Sequence, residues 1–264
     1  VDVKLGPDGA LYIADFYNSI IGHYEVPLDH PARDRQRGRI WRIVYSGEDR
    51  QEDIAVNDLS TAKLQALIEG LNNKNLPLRM SIADQIVDRF GENAIQPIQT
   101  MLAATETEFS AYIQGLWILF RLQALPNKLL ATAIKHEDER VQVHALRIMF
   151  EYQTLDESLR KIALAALAIS NPHIQRQATM VLAKNPEIEH IAPLLLLRHS
   201  VSQTEDSHFF YALRQALRDH LRDDKVMQWV KGSAWEEQDA RALADLMVGV
   251  DHIYAAQFLL SHLK

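Results

Sequence analysis

Asp15 and Asn18 are the residues of this chain with the strongest claim on chemistry. They end and follow the apolar run Ala10–Phe16 within GPDGALYIADFYN, Gly6–Asn18. A carboxylate and a carboxamide three residues apart, in a turn leaving a strand, could contact a ligand, a metal or a cofactor. The same two side chains could instead satisfy backbone groups of the turn, which is the ordinary habit of Asp and Asn. His23 follows within the next apolar stretch, and His30 in the loop beyond it. Either could serve as a base if given a partner and a shifted pKa, or be a partly buried structural imidazole. Arg33, Arg35, Arg37 and Arg39 recur at every second position, with Asp29 and Asp34 nearby. In extended chain they would share one face and form a strip for an anion or an acidic partner. The other reading is a solvated loop whose acids neutralise its bases, since exposed ion pairs contribute little.

Other chemistries lack their residues. The chain has no cysteine, so disulfides, thiolate zinc, Cys-ligated iron–sulfur clusters and covalent c-type haem attachment have no ligands here. No two histidines stand four apart, and His136 and His144 are eight apart, too far along a helix to share one ion. A phosphate loop, a dinucleotide-binding glycine pattern and a nucleophile elbow are all missing. No metal-binding or cofactor-binding residue is assigned, and catalytic residues stay unknown. The formal net charge of -7 gives no basic footprint for nucleic acid. The longest apolar run, Ile162–Ile169, is far short of the roughly 20 residues a membrane-spanning helix needs.

The elements that must hold these residues fall into two kinds. Val1–Gly47 reads as four short strands: Val1–Leu5, Ala10–Phe16, Ile20–Val26 and Gly38–Tyr45. Gly6-Pro7-Asp8-Gly9 turns the first into the second, and Trp41 packs at the sheet edge. Apolar or aromatic residues lie on both faces of the second strand, so both faces are expected to be covered. A small antiparallel sheet of this kind suits one blade of a β-propeller.

Glu48–Leu59 is polar and acidic and reads as a linker. From about residue 60 a repeat takes over. Segments starting at Pro77, Phe109, Glu139, Pro172, Asp206 and Glu236 each carry a small residue at the seventh position: Ala83, Gly115, Ala145, Ala178, Ala212 and Ala242, spaced 30 to 34 residues apart. An amphipathic stretch precedes each: Thr61–Leu71, Ala94–Ala103, Lys128–Ile134, Leu159–Ile169, Ile188–Leu197 and Lys225–Val230. Pro77, Pro126, Pro172 and Pro186 punctuate the turns, and Asp138 and Asp206 stand where helix N-caps are expected. The expected fold is therefore mostly α: a HEAT-like α-solenoid of about six helix pairs, preceded by a small antiparallel sheet. The expected domains are a partial blade over 1–48, a linker over 49–59 and a solenoid over 60–264.

Three stretches, Gly6–Asn18, Ile21–His23 and Arg37–Ile43, followed by HEAT-like repeats, resemble the large membrane-bound dehydrogenases with a PVC-type haem-binding C-terminus. Members of that family join a quinoprotein sugar-dehydrogenase-like propeller, a HEAT solenoid and a cytochrome c domain. The resemblance implies that this chain, which opens at Val1 and holds one blade and no CxxCH, is the middle of such a protein. It implies a non-catalytic scaffold, with haem c and a quinone held elsewhere in the parent and none here. The partners implied are the upstream blades and downstream cytochrome domain of the same polypeptide, and protein partners on the solenoid, with no nucleic acid and no transmembrane segment. A periplasmic or cell-envelope location is implied with them. The alternative is a HEAT-repeat protein-interaction module whose sheet is a small N-terminal cap.

Overall fold

The computed structural model describes residues 2–15, 20, 25–34, 36–47 and 58–262. Two compact units divide the chain, Val1–Leu122 and Gln123–Lys264.

The first unit opens with a three-stranded antiparallel sheet, β1 (Asp2–Leu5), β2 (Leu11–Asp15) and β3 (Arg39–Ile43), in that order. The Gly6–Gly9 turn joins β1 to β2. Gly9 takes φ 78°, a left-handed conformation that suits glycine. β2 is the central strand and pairs directly with β3. The expected third strand, Ile20–Val26, falls largely outside the described residues; Glu25 and Val26 lie in bends. Most of the expected linker, residues 48–57, is also outside them.

Two helix pairs complete this unit: α1 (Leu64–Gly70) with α2 (Leu76–Gln85), and α3 (Ile95–Ala103) with α4 (Phe109–Arg121). Asn75 caps α2, its side-chain oxygen accepting from the Leu78 N–H, with Pro77 in the first turn where a missing N–H costs nothing. α2 runs on into a wider π turn, Ile86–Phe90, and stops at Gly91. Leu67, Leu71, Ile86, Ile98, Leu116, Ile118 and Leu119 form the core. Gly115 shows why the seventh repeat position is small. A Cβ there would lie 2.8 Å from Met101 Cε and 2.9 Å from Leu102 Cδ2, inside contact distance.

The second unit is helical throughout its described residues. Its pairs are α5 (Asn127–Ala133) with α6 (Glu139–Glu151), α7 (Glu157–Ala166) with α8 (Pro172–Ala183), and α9 (Ile191–Ser200) with α10 (Ser207–His220); α11 (Asp224–Gly232) and α12 (Glu237–Met247) follow. A last helix, α13 (Ile253–His262), was not anticipated and packs on α11 and α12. The second helices of successive pairs neighbour one another, α6 on α8 and α8 on α10, and α10 neighbours α12, as in a HEAT-like array. Asp138 and Asp206 do cap α6 and α10. Ala145 and Ala178 are fully buried and Ala242 nearly so.

One repeat departs from the expected register. Ala212 is only half-buried, whereas Leu213, Ala216 and Leu217 are fully buried. The buried stripe of α10 has slipped by one residue, so a leucine takes the position that alanine holds in α6 and α8. The aligned alanine in the sequence is a coincidence of spacing.

Candidate functional site: an open sheet face

Cross-strand partners share a face of the sheet, so the register sorts its side chains. Val3 stands opposite Ile13, and Ile13 opposite Trp41; Leu5 stands opposite Leu11, and Leu11 opposite Ile43. Six large apolar side chains thus form one contiguous face. The expectation that both faces are covered fails here. Val3 is 52% exposed, Trp41 49% and Ile43 50%. The alternation of the strands specifies a buried face, but no described element packs over it.

Asp15, Arg39 and Trp41 lie at one end of this face. Asp15 is opposite Arg39 in the register. The Trp41 indole N–H donates to Asp15 Oδ2 at 3.0 Å. The Arg39 guanidinium sits over the indole, 5.6 Å from the ring centroid, within cation–π range. Trp41 stands on β3, an edge strand of the described sheet, with its indole tied to Asp15. A carboxylate, a guanidinium and an indole beside an apolar patch are a recognition chemistry: a hydrophobic floor with polar groups that fix orientation.

The opposite face is tied down at its turn end, while Ile40 at the other end is 74% exposed. Asp8 in the turn accepts from the Tyr12 hydroxyl at 2.9 Å, Arg42 Nε at 2.9 Å and the Ala10 N–H at 3.2 Å. Desolvation opposes its ionisation, but the bonds from Arg42, Ala10 and Tyr12 outweigh it and hold the carboxyl below its ordinary range. Asn75 Nδ2 donates to the Gly6 and Pro7 carbonyls at 3.0 and 3.2 Å. The Pro-Asp-Gly turn is thus pinned to the start of α2, and the apolar face on the other side is left open.

Of the remaining sequence candidates, those among the described residues do not join this group. Asn18, His23 and Arg35 lie outside the described residues. His30 Nδ1 accepts from the Ala32 N–H within its own loop. Arg33 donates to the Val26 and Pro27 carbonyls at 2.8 and 3.1 Å, stapling the same loop. Arg37 pairs with Asp34 at 2.9 Å. The expected arginine strip needs extended chain, but Pro27–His30–Arg33 folds into consecutive turns, so the period of two loses its meaning there. Among the described arginines of that series, Arg39 alone stands on the sheet.

The second unit carries a separate polar groove of about 670 Å³ between α9 and α12, lined by Arg198, His199, Gln238, Arg241 and Asp245 among others. Arg198 and Arg214 both pair with Asp245, and His199 Nε2 lies 2.7 Å from Asp239 Oδ1. These residues come from helices about 40 positions apart, and no local pattern announces them. Nothing in the sequence marks Asp8 or Asn75 as functional. Asn75 was legible as an N-cap beside Pro77, but its bond to Gly6 has no local signature. Among the described residues no group of three metal-ligating side chains occurs, and no helix is long and apolar enough to cross a membrane.

Comparison with known proteins adds to the sheet more than to the helices. Residues 1–47 match the family profile of a domain of unknown function, DUF7133. That match covers the sheet and stops before the first helix. No curated protein matches the chain. Two engineered proteins solved by the Northeast Structural Genomics Consortium are similar to it. One is 14% identical with a TM-score of 0.43, over 74% of this chain and 92% of its own. The other is 15% identical with a TM-score of 0.42, over 75% of this chain and 61% of its own.

Proposed function

We propose that this chain is a non-catalytic scaffold whose N-terminal sheet docks against a further β-sheet while its helical repeats serve as a platform. In the fuller form of this reading it is the middle of a propeller–HEAT–cytochrome c oxidoreductase. The docked sheet is then the neighbouring propeller blade, and the quinone and haem c chemistry belongs to other parts of the polypeptide, in the periplasm or cell envelope.

One observation carries the reading: the face made by Val3, Leu5, Leu11, Ile13, Trp41 and Ile43 is apolar and open. Monomeric proteins rarely leave such contiguous patches without a use. Covering these side chains, five of them about half-exposed, would contribute on the order of 5 kcal/mol, before association costs. Aligned sheets pack face to face through such alternating apolar rows. The separate family match of residues 1–47 also treats the sheet as a module distinct from the helices.

The alternative, a HEAT interaction module with a β cap, draws on the bond from Asn75 to the Gly6–Pro7 turn. A photo-crosslinking residue at Ile43, in the longer polypeptide that the scaffold reading proposes, separates the two. Crosslinks to β-strand peptides of the same polypeptide support the docked blade. Crosslinks only to the helices of this chain, or none, overturn it.

A further inference from the structure

His190 and His220 are both fully buried polar residues of the second unit. His190 ends a 3-10 turn, Ile188–His190, that leads into α9, and His220 ends α10. Their rings meet with Nδ1 of His190 3.1 Å from Nε2 of His220. Nδ1 of His220 lies 2.7 Å from the Ala216 carbonyl.

Protonation of the pair follows from this geometry. A carbonyl only accepts, so His220 carries its proton on Nδ1 and is bare at Nε2. His190 must then donate from Nδ1 to that bare nitrogen. Nε2 of His190 is left bare, buried and without a hydrogen-bond partner. Both rings are neutral and the chain of donors runs one way, from His190 to His220 to Ala216.

A further proton has one place to go without breaking this chain, and that is Nε2 of His190. Its surroundings are hostile to charge. Arg160 on α7, itself paired with Glu187 at 3.2 Å, repels it. The Asn185 backbone favours the charged form, and Asp219 and Asp223, at the end of α10 and the start of α11, favour it on the His220 ring. Burial is the largest influence on both rings; with Arg160 beside it at His190, it outweighs the groups that favour charge and lowers both imidazoles to about 4. The nearest carboxylate to His190 Nε2 is Glu189, 4.0 Å away on the same turn and largely exposed to water. The ring and that carboxylate form a solvated pair if the turn rolls outward.

We propose that the His190–His220 pair is an acid-release latch. Neutral, it ties the start of α9 to the end of α10. Protonated at His190 Nε2, the ring leaves its buried site with the Ile188–His190 turn, and the two helices uncouple there. The sign follows from linkage: the buried ring holds fewer protons than the released ring, so the latch is full above about pH 6.5 and weakens as pH falls toward 4. For one imidazole moved from about 6.5 to about 4, the closed-to-open ratio falls on the order of 20–30-fold between pH 7.5 and pH 5.

Hydrogen exchange on the full chain, corrected for intrinsic rates, tests this directly. Protection in the 188–195 and 214–221 peptides should fall on the order of 20-fold between pH 7.5 and pH 5, and α8 should change less; α6 is no control, because burial also lowers its His144 to about 4. His190→Gln, which keeps a donor but cannot titrate there, should sharply diminish the differential loss at 188–195. His220→Gln and His144→Gln should retain it. A uniform loss across the second unit in the unsubstituted chain overturns the latch without any variant. So does an undiminished local loss in a folded His190→Gln protein. Nitrogen chemical shifts should report both rings as the Nδ1–H tautomer at pH 7.5, and any other tautomer contradicts the proton assignment.

Discussion

The Asn75 amide donates to the Gly6 carbonyl at 3.0 Å, across 69 positions of sequence. One side chain thereby does two jobs, since its oxygen also accepts from the Leu78 N–H at 3.1 Å and caps α2. Substitution separates the jobs. Asn75→Asp keeps the cap oxygen and loses the donor, so α2 should hold while the β1–β2 hairpin exchanges faster. Asn75→Ala loses both and should cost about 1–2 kcal/mol in the first unit. Residue-resolved hydrogen exchange with urea melts checks both.

Trp41→Ser tests the open face from the other side. Trp41 is half-exposed, so its loss should change stability by no more than about 1 kcal/mol. The variant should bind less of an apolar dye and self-associate less, because the largest ring of the patch is gone. A variant that unfolds places Trp41 in a core and contradicts the open face.

The repeat register makes a paired prediction. Ala145 is fully buried, and Ala145→Leu should overpack the contact of α6 with its neighbours at a cost of about 1–3 kcal/mol. Ala212 is half-buried on α10, and Ala212→Leu should stay within about 0.5 kcal/mol. Equal costs at the two sites would contradict the one-residue slip of α10.

Asp8 and the buried histidines should answer acid differently. The bonds from Arg42, Ala10 and Tyr12 outweigh desolvation and lower the Asp8 carboxyl below its ordinary 3.8, so its support is full at neutral pH and lost only as pH falls through that lowered value. The hairpin should therefore keep its relative protection at pH 5, where the α9–α10 latch has loosened. Asp8→Asn should weaken the hairpin already at pH 7, and amide exchange of Ala10 and Leu11 reads it.

Legibility followed the range of the interactions. The 30- to 34-residue spacing of small residues revealed the helix pairs because close approach of helices demands the same residue in every copy. It misplaced Ala212 because α10 buries Leu213 and Ala216 instead, a difference that only packing decides. The strands Leu11–Asp15 and Arg39–Ile43 were legible from alternation and the Pro-Asp-Gly turn. That their apolar face stands open was not, since alternation specifies a face to be buried and is silent on what buries it. Arg33 and Arg37 misled because a period of two implies one face only in extended chain. The Asp15–Trp41 bond spans 26 positions, and the His190–His220 bond 30. Neither has a local signature, because a cross-strand or cross-helix contact is made by the fold.

Exchange of β1, β2 and β3, compared between this chain alone and this chain within the longer polypeptide that the scaffold reading proposes, is the most direct test of that reading. The open face predicts that the strand amides exchange at least 100-fold faster than those of α4 in this chain, and slow toward the α4 rate in the longer polypeptide while α4 is unchanged. Strand amides already as slow as α4 in this chain, or equally fast in both, would contradict the account of the sheet as a docking surface.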